Sequence, residues 1–273
     1  LINLKEVVIE PTDLVLDIGA GKGIFTDAII KNTGKNVRLD LIEIDKNLSQ
    51  LLIKKFEGYK KIKIQNIDFI DYVLPKEPFK VFANIPFNFT ADILHKLLNP
   101  VEYLECAYLV IQKEALQTWG GSQVHRSAGE TLKSLLTYPF YIISELYKFD
   151  RNDFNPAPSV DSVFAEFRKR NEPLIDMHNL KMYRDFISSI SQVRVGESIW
   201  RMIFTKKQLN YMCSNFHLVN NKGIKAQKAS SIVKVFKSFL NEVPISKRKL
   251  ILGSSDDLKK TVNKLDKRYR TNL

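Results

Sequence analysis

The sequence predicts an α/β domain with a mostly parallel sheet, followed by a smaller helical domain. Up to residue 170, short apolar segments typical of strands alternate with segments whose apolar residues recur at helical spacing, which is the pattern of βαβ units. Beyond residue 173 only the helical spacing is found. At 273 residues the chain is long enough for about two domains.

Seven segments of the first domain are predicted strands because they are apolar, rich in β-branched and aromatic residues, and bounded by turn residues. They are residues 14–17, 37–42, 61–64, 79–83, 103–111, 140–149 and 160–167. Helices are predicted between the early strands at residues 25–30, 46–56 and 91–98. The last two strands flank a proline-containing loop, which favours an antiparallel edge to the sheet.

Four amphipathic stripes predict the helices of the second domain. They cover residues 180–190, 197–204, 206–216 and 232–240. The composition changes again near the end, where residues 245–273 carry nine basic and three acidic residues and few apolar ones. We therefore expect three parts, which are residues 1–170, 171–243 and 244–273.

The net charge of +12 is concentrated in the last third of the chain. Residues 1–170 contain 22 basic and 22 acidic residues, whereas residues 171–273 contain 20 basic and 8 acidic residues. This division is typical of a protein whose neutral first part carries out the chemistry and whose basic second part binds a polyanion. A lysine-rich surface that only keeps the protein in solution is the more common origin of a charge run, and this alternative stays open.

Composition argues against several classes of protein. No apolar run approaches the roughly 18 residues of a membrane span, and no signal peptide is recognised at the start. Cys106 and Cys213 show no CxxC spacing, and the four histidines are scattered, so we expect neither a disulfide framework nor a metal site. We expect no membrane partner and a reducing, cytoplasmic location.

A glycine-rich turn follows the first predicted strand. The segment Asp17-Ile-Gly-Ala-Gly-Lys-Gly23 lets the backbone approach a ligand closely at a helix amino terminus. Glu43 ends the second strand 20 residues later, where a carboxylate can accept both hydrogen bonds of a ribose diol. Because Asp17 would repel phosphate and attract an ammonium group, the cofactor with the matching chemistry is S-adenosylmethionine. The alternative is a tight turn that serves packing alone.

Two further polar positions end predicted strands. Asp68 follows the third strand and could accept from an adenine amine, although an aspartate there is more often a helix cap. The segment Asn84-Ile-Pro-Phe87 ends the fourth strand, where the Asn84 side-chain oxygen and a backbone carbonyl can both accept from one amino group. Such acceptors favour methyl transfer to an adenine amine without a general base, and Phe87 can stack on the extruded base.

Six motifs of the first 170 residues occur together in one order. They are Asp17-Ile-Gly-Ala-Gly-Lys-Gly23, Glu43, Asn66-Ile-Asp-Phe69, Asn84-Ile-Pro-Phe-Asn-Phe-Thr-Ala-Asp-Ile-Leu94, Leu109-Val-Ile-Gln-Lys-Glu-Ala115 and Phe154-Asn-Pro-Ala-Pro-Ser-Val160. This ordered set resembles the ribosomal RNA adenine N6-methyltransferases, and most of all their erythromycin-resistance (Erm) branch. The resemblance is clear over about residues 4 to 170 and loose beyond them.

The resemblance implies a Rossmann-like S-adenosylmethionine-dependent methyltransferase domain in residues 1–170 and a small helical RNA-binding domain in residues 171–243. It further implies transfer of one or two methyl groups to a 23S rRNA adenine near the peptidyl transferase centre. Such a modification gives resistance to macrolides, lincosamides and streptogramin B. The partner would be naked or pre-assembly 23S rRNA, and the enzyme would act as a monomer.

The resemblance also assigns residue roles. It implies a set of S-adenosylmethionine-binding residues: Gly19, Gly21, Glu43, Asp68 and Asn84. Asn84 and Phe87 would hold the target base as catalytic residues, and Phe154 would stack on its other face. Without the family, Phe154 is better explained as a core aromatic. The family also has a Gln-x-Phe segment upstream of the position of Leu1, so that part of the site is assigned to no residue here.

The alternative within the same class is the small-subunit (16S) rRNA adenine dimethyltransferase of ribosome biogenesis, whose base-binding motif typically reads Asn-Leu-Pro-Tyr-Asn. Ile85 and the residues after Phe87 favour the Erm branch. A non-catalytic nucleic-acid factor should have lost Asn84 or the glycines, and a dinucleotide oxidoreductase should show a different glycine spacing. We also expect RNA contacts from basic clusters within residues 194–228, and non-specific attraction from residues 247–270.

Overall fold

The computed structural model of the protein describes residues 7–34, 36–99, 102–125, 127–154 and 158–258. The seven strands of one sheet are β1 (Leu14–Ile18), β2 (Arg38–Ile42), β3 (Ile62–Gln65), β4 (Phe79–Asn84), β5 (Leu104–Gln112), β6 (Tyr141–Lys148) and β7 (Ser162–Lys169). The α-helices are α1 (Ile24–Thr33), α2 (Lys46–Lys55), α3 (Thr90–Leu98), α4 (Lys113–Gly120), α5 (Leu132–Thr137), α6 (Leu180–Ile190), α7 (Ile199–Ile203), α8 (Lys206–Asn215), α9 (Ala229–Glu242) and α10 (Ile245–Arg248). Every predicted strand and helix is present, so the α/β class with a helical C-terminal part is confirmed.

The strand order in the sheet is β3-β2-β1-β4-β5-β7-β6. β1 pairs in parallel with β2 and β4, β2 with β3, and β4 with β5, whereas β7 runs antiparallel to β5. The register places Ile18, the last residue of β1, beside Ile42 on one side and Ala83 on the other. The loops after β1, β2 and β4 therefore start together at the point where the strand order reverses, which is where open α/β sheets bind ligands.

Burial on both faces of the sheet explains why its central strands are mostly apolar. All five residues of β1 are buried, as expected for a parallel strand covered on both faces. Ile29 of α1 and Leu52 of α2 are fully buried in the same core as Leu39 and Phe82. The connection from β3 to β4, residues 66–78, contains no helix, so this crossover places none over the sheet.

The described residues form two compact units. One contains the residues up to Leu116 together with Ile142–Lys169, and the other contains Gln117–Tyr141 and the residues from Arg170 onward. Residues 117–141 group with the later helices because, for example, the Tyr183 hydroxyl donates to the Leu135 carbonyl at 2.6 Å. The second unit is thus assembled from two separate stretches of chain. The functional division into residues 1–170, 171–243 and 244–273 stays a prediction.

The core of the second unit is aromatic. Tyr183 and Phe186 of α6 meet Phe236 of α9 with ring centroids 5.0 and 5.5 Å apart, and Phe186 lies 5.2 Å from Phe239. These residues belong to the two strongest helical stripes of the sequence. Helices α5 and α10, by contrast, have no counterpart among the predicted segments, because six and four residues are too few to show a helical period.

A buried carboxylate, Glu130, joins the two stretches of the second unit. Its side chain accepts hydrogen bonds from the hydroxyl of Ser122, from the Ser134 hydroxyl at 2.6 Å and from the Ala229 backbone N–H at 3.3 Å. Ala229 is the first residue of α9, and Lys228 before it provides no side-chain cap. Glu130 therefore caps α9 from 99 positions away in the sequence, where the helix dipole favours a negative charge.

Replacement of Glu130 by alanine should lower the free energy of unfolding by about 3 kcal/mol, because two buried donors and one half-buried donor lose their charged acceptor. Urea unfolding followed by circular dichroism measures the change. Glu172→Ala, at an exposed glutamate of the same unit, is the matched control and should change stability by less than about 0.5 kcal/mol. Equal unfolding midpoints for the two variants would contradict the capping role.

A second buried carboxylate, Asp185 of α6, holds the chain after α10. It accepts from the backbone N–H groups of Gly253 and Ser255 at 3.1 and 3.0 Å and from the Ser255 hydroxyl at 2.5 Å. Ile251 is fully buried nearby in the sequence. Residues 245–258 are therefore packed into the helical unit, and of the basic stretch 247–270 the part from residue 259 lies outside the described residues.

Truncation after Val243 should destabilise the protein more than truncation after Leu258. The shorter chain leaves Asp185 buried without its donors and removes the Ile251 side chain from the core, which together cost about 3 kcal/mol or more. The longer chain keeps both contacts and loses only residues 259–273. Thermal unfolding distinguishes the two, and a wild-type Tm for the chain ending at Val243 would show that the segment is not anchored.

Candidate active site

The glycine loop after β1 leaves open space at two of its three glycines. Gly19, Gly21 and Gly23 have φ of +66°, +56° and +75°, values that residues other than glycine rarely adopt. A Cβ on Gly19 would meet nothing within 4 Å, and one on Gly21 only the Gly19 carbonyl at 3.8 Å, whereas one on Gly23 would lie 2.9 Å from the Phe56 ring. The first two glycines therefore leave room for a ligand, and Gly23 allows helix–helix packing.

The Glu43 carboxylate links the end of β2 to the glycine loop. One oxygen accepts from the Gly21 N–H at 2.8 Å and the other from the Asp45 N–H at 2.9 Å. A carboxylate has about four acceptor positions, so each oxygen retains one. The sequence did not reveal that Glu43, which is 5% exposed, also holds the loop in place.

Asp17, at the end of β1, carries an unsatisfied acceptor. Its Oδ2 accepts from the Thr26 hydroxyl at 2.6 Å, while its Oδ1 is buried with no hydrogen-bond partner. Burial raises the pKa of this carboxyl from 3.8 to about 6, against the opposing effect of the Thr26 hydrogen bonds. A buried carboxylate oxygen without a donor, beside an open glycine loop, fits a ligand with a cationic amine.

The loop after β3 lies beside Glu43. The Asn66 side-chain amide donates to the backbone carbonyls of Glu43 and Ile44, each at 2.9 Å. Asp68 is half-buried and accepts from the Ile70 N–H at 2.8 Å through Oδ1. Among the described residues no donor contacts its Oδ2. The structure thus brings the loop of Asp68 next to Glu43 and shows, at the same time, the capping bond that the alternative interpretation expected.

Lys96 is a residue of this region that sequence analysis missed. From α3 its ammonium group donates to the carbonyls of Phe69, Ile70 and Tyr72 at 2.7, 2.6 and 2.6 Å. Burial lowers the pKa of this amine. Lys96 therefore connects the Asp68 loop to the helix that follows the Asn84 motif. A lysine on an amphipathic helix gives no sequence signal of such a role.

The Asn84 segment presents acceptors at the carboxyl edge of β4. Asn84 is exposed, and its side chain makes no hydrogen bond within the described residues. The Ile85 N–H donates to Val110 at 3.1 Å, and the Pro86 carbonyl accepts from the Phe89 N–H at 2.9 Å. The Ile85 carbonyl accepts no hydrogen bond within the described residues, so it is the backbone acceptor that remains beside Asn84. Phe87 is 38% exposed at the same loop.

Phe154 packs against the core of the sheet. Its ring meets the Phe149 ring edge-to-face at 5.0 Å, and it is half-buried against the core of the sheet. No ring contact between Phe154 and Phe87 occurs in the described residues, and residues 155–157 of its proline-rich motif lie outside them. The geometry thus matches the core interpretation of Phe154, and its stacking role stays a prediction.

Two wider observations concern metals and membranes. Within the described ranges, no three His, Cys, Asp or Glu side chains cluster closely enough to hold a metal ion. None of the helices described is both long and apolar enough to span a bilayer.

Comparison with known proteins identifies the family. The family model described as "Ribosomal RNA adenine dimethylase" matches residues 2–241. The chain belongs to this family. It is an S-adenosylmethionine-dependent rRNA adenine N6-methyltransferase, and the open glycine loop, Glu43 and the unsatisfied Asp17 oxygen fit that cofactor. When bound, the cofactor supplies an electrophilic methyl group on a sulfonium.

Two kinds of rRNA methyltransferase are similar to the chain in sequence. An rRNA adenine N-6-methyltransferase of Bacteroides fragilis is 28% identical over 245 residues, which are 88% of each chain. A ribosomal RNA small subunit methyltransferase A of Thermotoga neapolitana is 31% identical over 187 residues, 68% of each chain. The solved structure of the 23S rRNA methyltransferase ErmE shares the fold with a TM-score of 0.75 at 23% identity, covering 87% of this chain and 94% of that one. A dimethyladenosine transferase of Plasmodium falciparum shares it with a TM-score of 0.64 at 19% identity, covering 86% and 93%.

Asp17→Asn should weaken S-adenosylmethionine binding by about 1.5–3 kcal/mol, the range for hydrogen bonds to charged groups. In the wild-type protein, affinity should fall as the pH drops from 7.5 to 5.5, because Asp17 becomes protonated near its pKa of about 6. Isothermal titration calorimetry at both pH values measures this, and the variant should lose the pH dependence.

The same variant should be more stable than the wild-type protein at pH 7.5. A folded-state pKa above the ordinary 3.8 means that the contribution of Asp17 to stability is greatest below pH 3.8 and is lost as the pH rises through about 6. A raised Tm together with weakened cofactor binding is the expected pair of results. Unchanged cofactor affinity would remove Asp17 from the site.

Proposed function

We propose that the enzyme methylates N6 of one adenine in 23S rRNA and thereby confers resistance to macrolides, lincosamides and streptogramin B. The observation that carries the proposal is the Asn84–Phe87 segment, whose unengaged acceptors and exposed ring lie at the switch point of the sheet beside the glycine loop. Ile85 and the sequence after Phe87 favour the Erm branch over the small-subunit branch. The substrate is naked or pre-assembly 23S rRNA, and the enzyme acts as a monomer.

The cofactor is held by residues of three neighbouring loops in this proposal. Gly19 and Gly21 allow its close approach, Glu43 accepts from the ribose hydroxyls through its two remaining acceptor positions, and Asp17 accepts from the amine. Asp68 accepts from the adenine amine through Oδ2. Asn84 borders the same space. Since Glu43 also holds the Gly21 and Asp45 N–H groups, replacement by glutamine tests its ribose contact better than alanine does.

The target amine is held between two neutral acceptors. The Asn84 Oδ1 and the Ile85 carbonyl each take one N–H of the adenine N6 amine, which directs its nitrogen lone pair away from the ring plane. The Pro86 carbonyl, already bound by the Phe89 N–H, keeps the loop rigid. Neutral acceptors suit this position because they do not pair with a sulfonium. The methylated nitrogen releases its proton readily, so no general base is required.

The rRNA specificity is tested by methyl transfer from labelled cofactor to naked 23S and 16S rRNA, followed by mapping of the modified adenine. We expect label in 23S rRNA at one adenine near the peptidyl transferase centre, and macrolide resistance in cells that express the enzyme. Label confined to 16S rRNA would replace the proposal by the small-subunit function.

Asn84→Ala should abolish methyl transfer while the cofactor dissociation constant changes by no more than about threefold, because the ribose and the amine of the cofactor are held elsewhere. Asn32→Ala, at an exposed asparagine of α1 outside the motifs, is the matched control and should retain wild-type turnover. Parallel losses of cofactor binding and turnover in Asn84→Ala would show that Asn84 is a cofactor residue only.

Phe87→Leu should lower turnover on RNA with little change in cofactor affinity, since stacking on a base is worth about 1–3 kcal/mol. The companion variant Phe154→Leu separates the two interpretations of that residue. A stacking role lowers turnover at unchanged Tm, whereas a core role lowers Tm. A loss of stability without a specific loss of turnover would remove Phe154 from the base site.

A further inference from the structure

A cavity of about 510 Å³ lies at the amino-terminal edge of the sheet, where β1, β2 and β3 begin. The candidate active site lies at the opposite, carboxyl-terminal edge. With strands of about five residues, the two edges are roughly 15 Å apart. Five of the ten residues that line the cavity are basic and two are acidic. This concentration of positive charge stands in a stretch of chain, residues 1–170, whose net charge is zero.

The cavity exists because one crossover of the sheet lacks a helix. Parallel sheets are normally covered by the helices of their βαβ connections. Residues 66–78, between β3 and β4, form only turns, and Tyr72 and Pro75 of this loop line the cavity instead. The open space beside β3 is therefore a consequence of the fold, and its rim carries the basic residues.

The two acidic residues of the cavity are already engaged. Asp40 accepts from the Tyr72 hydroxyl at 3.0 Å. Glu77 forms a two-bond ion pair with Arg38, at 2.9 and 3.1 Å. Asp40 lies beside Lys63 in the register of β2 and β3, but no ion pair forms between them.

The lysines, in contrast, form no ion pair with any of the described residues. Lys60, Lys63 and Lys76 are exposed, and none of them forms an ion pair or hydrogen bond within the described residues. Lys61 donates to the Asn36 carbonyl at 3.0 Å, a neutral partner. Four ammonium groups around one concave surface repel each other, and an anion with several charged oxygens would relieve that repulsion.

We propose that this basic cavity binds the phosphodiester backbone of the RNA substrate at a distance from the target adenine. The proposal rests on the proposed function, since the activity requires a polyanion as substrate. Phosphate contacts carry no sequence information and set the position of a nucleic acid on a protein. The cavity would thus position the rRNA, while the Asn84 segment reads the single extruded base.

The test compares two triple variants of the full chain. Lys60→Gln/Lys63→Gln/Lys76→Gln removes the unpaired charges and leaves the Tyr72–Asp40 and Arg38–Glu77 contacts intact. Lys31→Gln/Lys54→Gln/Lys148→Gln removes three exposed lysines from α1, α2 and β6, outside both the cavity and residues 171–243, and is the matched control. RNA affinity is measured against potassium chloride concentration by fluorescence anisotropy, together with KM for RNA, kcat, cofactor affinity and Tm.

The cavity variant should lose about 0.7–0.9 of the salt slope for each phosphate contact removed, so about 2.1–2.7 units if all three contacts are made. Its KM for RNA should rise at least tenfold at low salt, with kcat, cofactor affinity and Tm unchanged, and the control should behave as the wild-type protein. A wild-type salt slope, or equal effects in both variants, would overturn the proposal. Inorganic phosphate that binds in the cavity without competing with RNA would also overturn it, in favour of a small-anion site.

The methylation assay separates this proposal from the proposed function. If the wild-type enzyme methylates 16S instead of 23S rRNA, the function fails while the salt slopes still test the cavity with 16S RNA. If 23S rRNA is methylated but the cavity variant has the same salt slope as the wild-type protein, the cavity proposal alone fails.

Discussion

The candidate active site depends on one carboxylate, that of Glu43. Its two oxygens hold the Gly21 and Asp45 N–H groups, and its backbone carbonyl accepts from the Asn66 side chain. Three loops, after β1, β2 and β3, are therefore tied to a single residue at the edge of the sheet. Because charged acceptors make the stronger hydrogen bonds, the loops are arranged before any ligand arrives.

Lys96 extends this arrangement to the fourth loop. Its ammonium holds the carbonyls of residues 69, 70 and 72 from α3, the helix that begins directly after the Asn84 segment. The loops proposed to hold the cofactor and the target base are thus joined by hydrogen bonds from a carboxylate on one side and an ammonium on the other. Methyl transfer requires both substrates in one geometry, and small displacements of either are costly in rate.

Buried carboxylates also organise the helical unit. Glu130 joins residues 117–141 to α9, and Asp185 joins α6 to the chain after α10. Each negative charge accepts several backbone or hydroxyl donors, and that is the condition under which a buried charge is stable. The unit is therefore held by contacts between segments far apart in the sequence in addition to its aromatic core.

The sequence by itself determined the strands, most of the helices and the kind of chemistry expected at the site. Apolar periodicity located every strand, and the glycine turn, Glu43 and the Asn84 segment identified the kind of cofactor and of reaction. These features were readable because each depends on residues near one another in the chain, or on motifs whose order is specific to a family.

Tertiary structure decided the remaining features of the fold and the site, because those features depend on which residues far apart in the sequence come into contact. It showed Gly23 as a packing glycine, Ile85 as the remaining carbonyl acceptor, Lys96 as the link between loops and Phe154 as a neighbour of Phe149. It also grouped residues 117–141 with the later helices, since Glu130 finds its donor 99 residues away. No local pattern encodes such a partner, so only the folded chain reveals it.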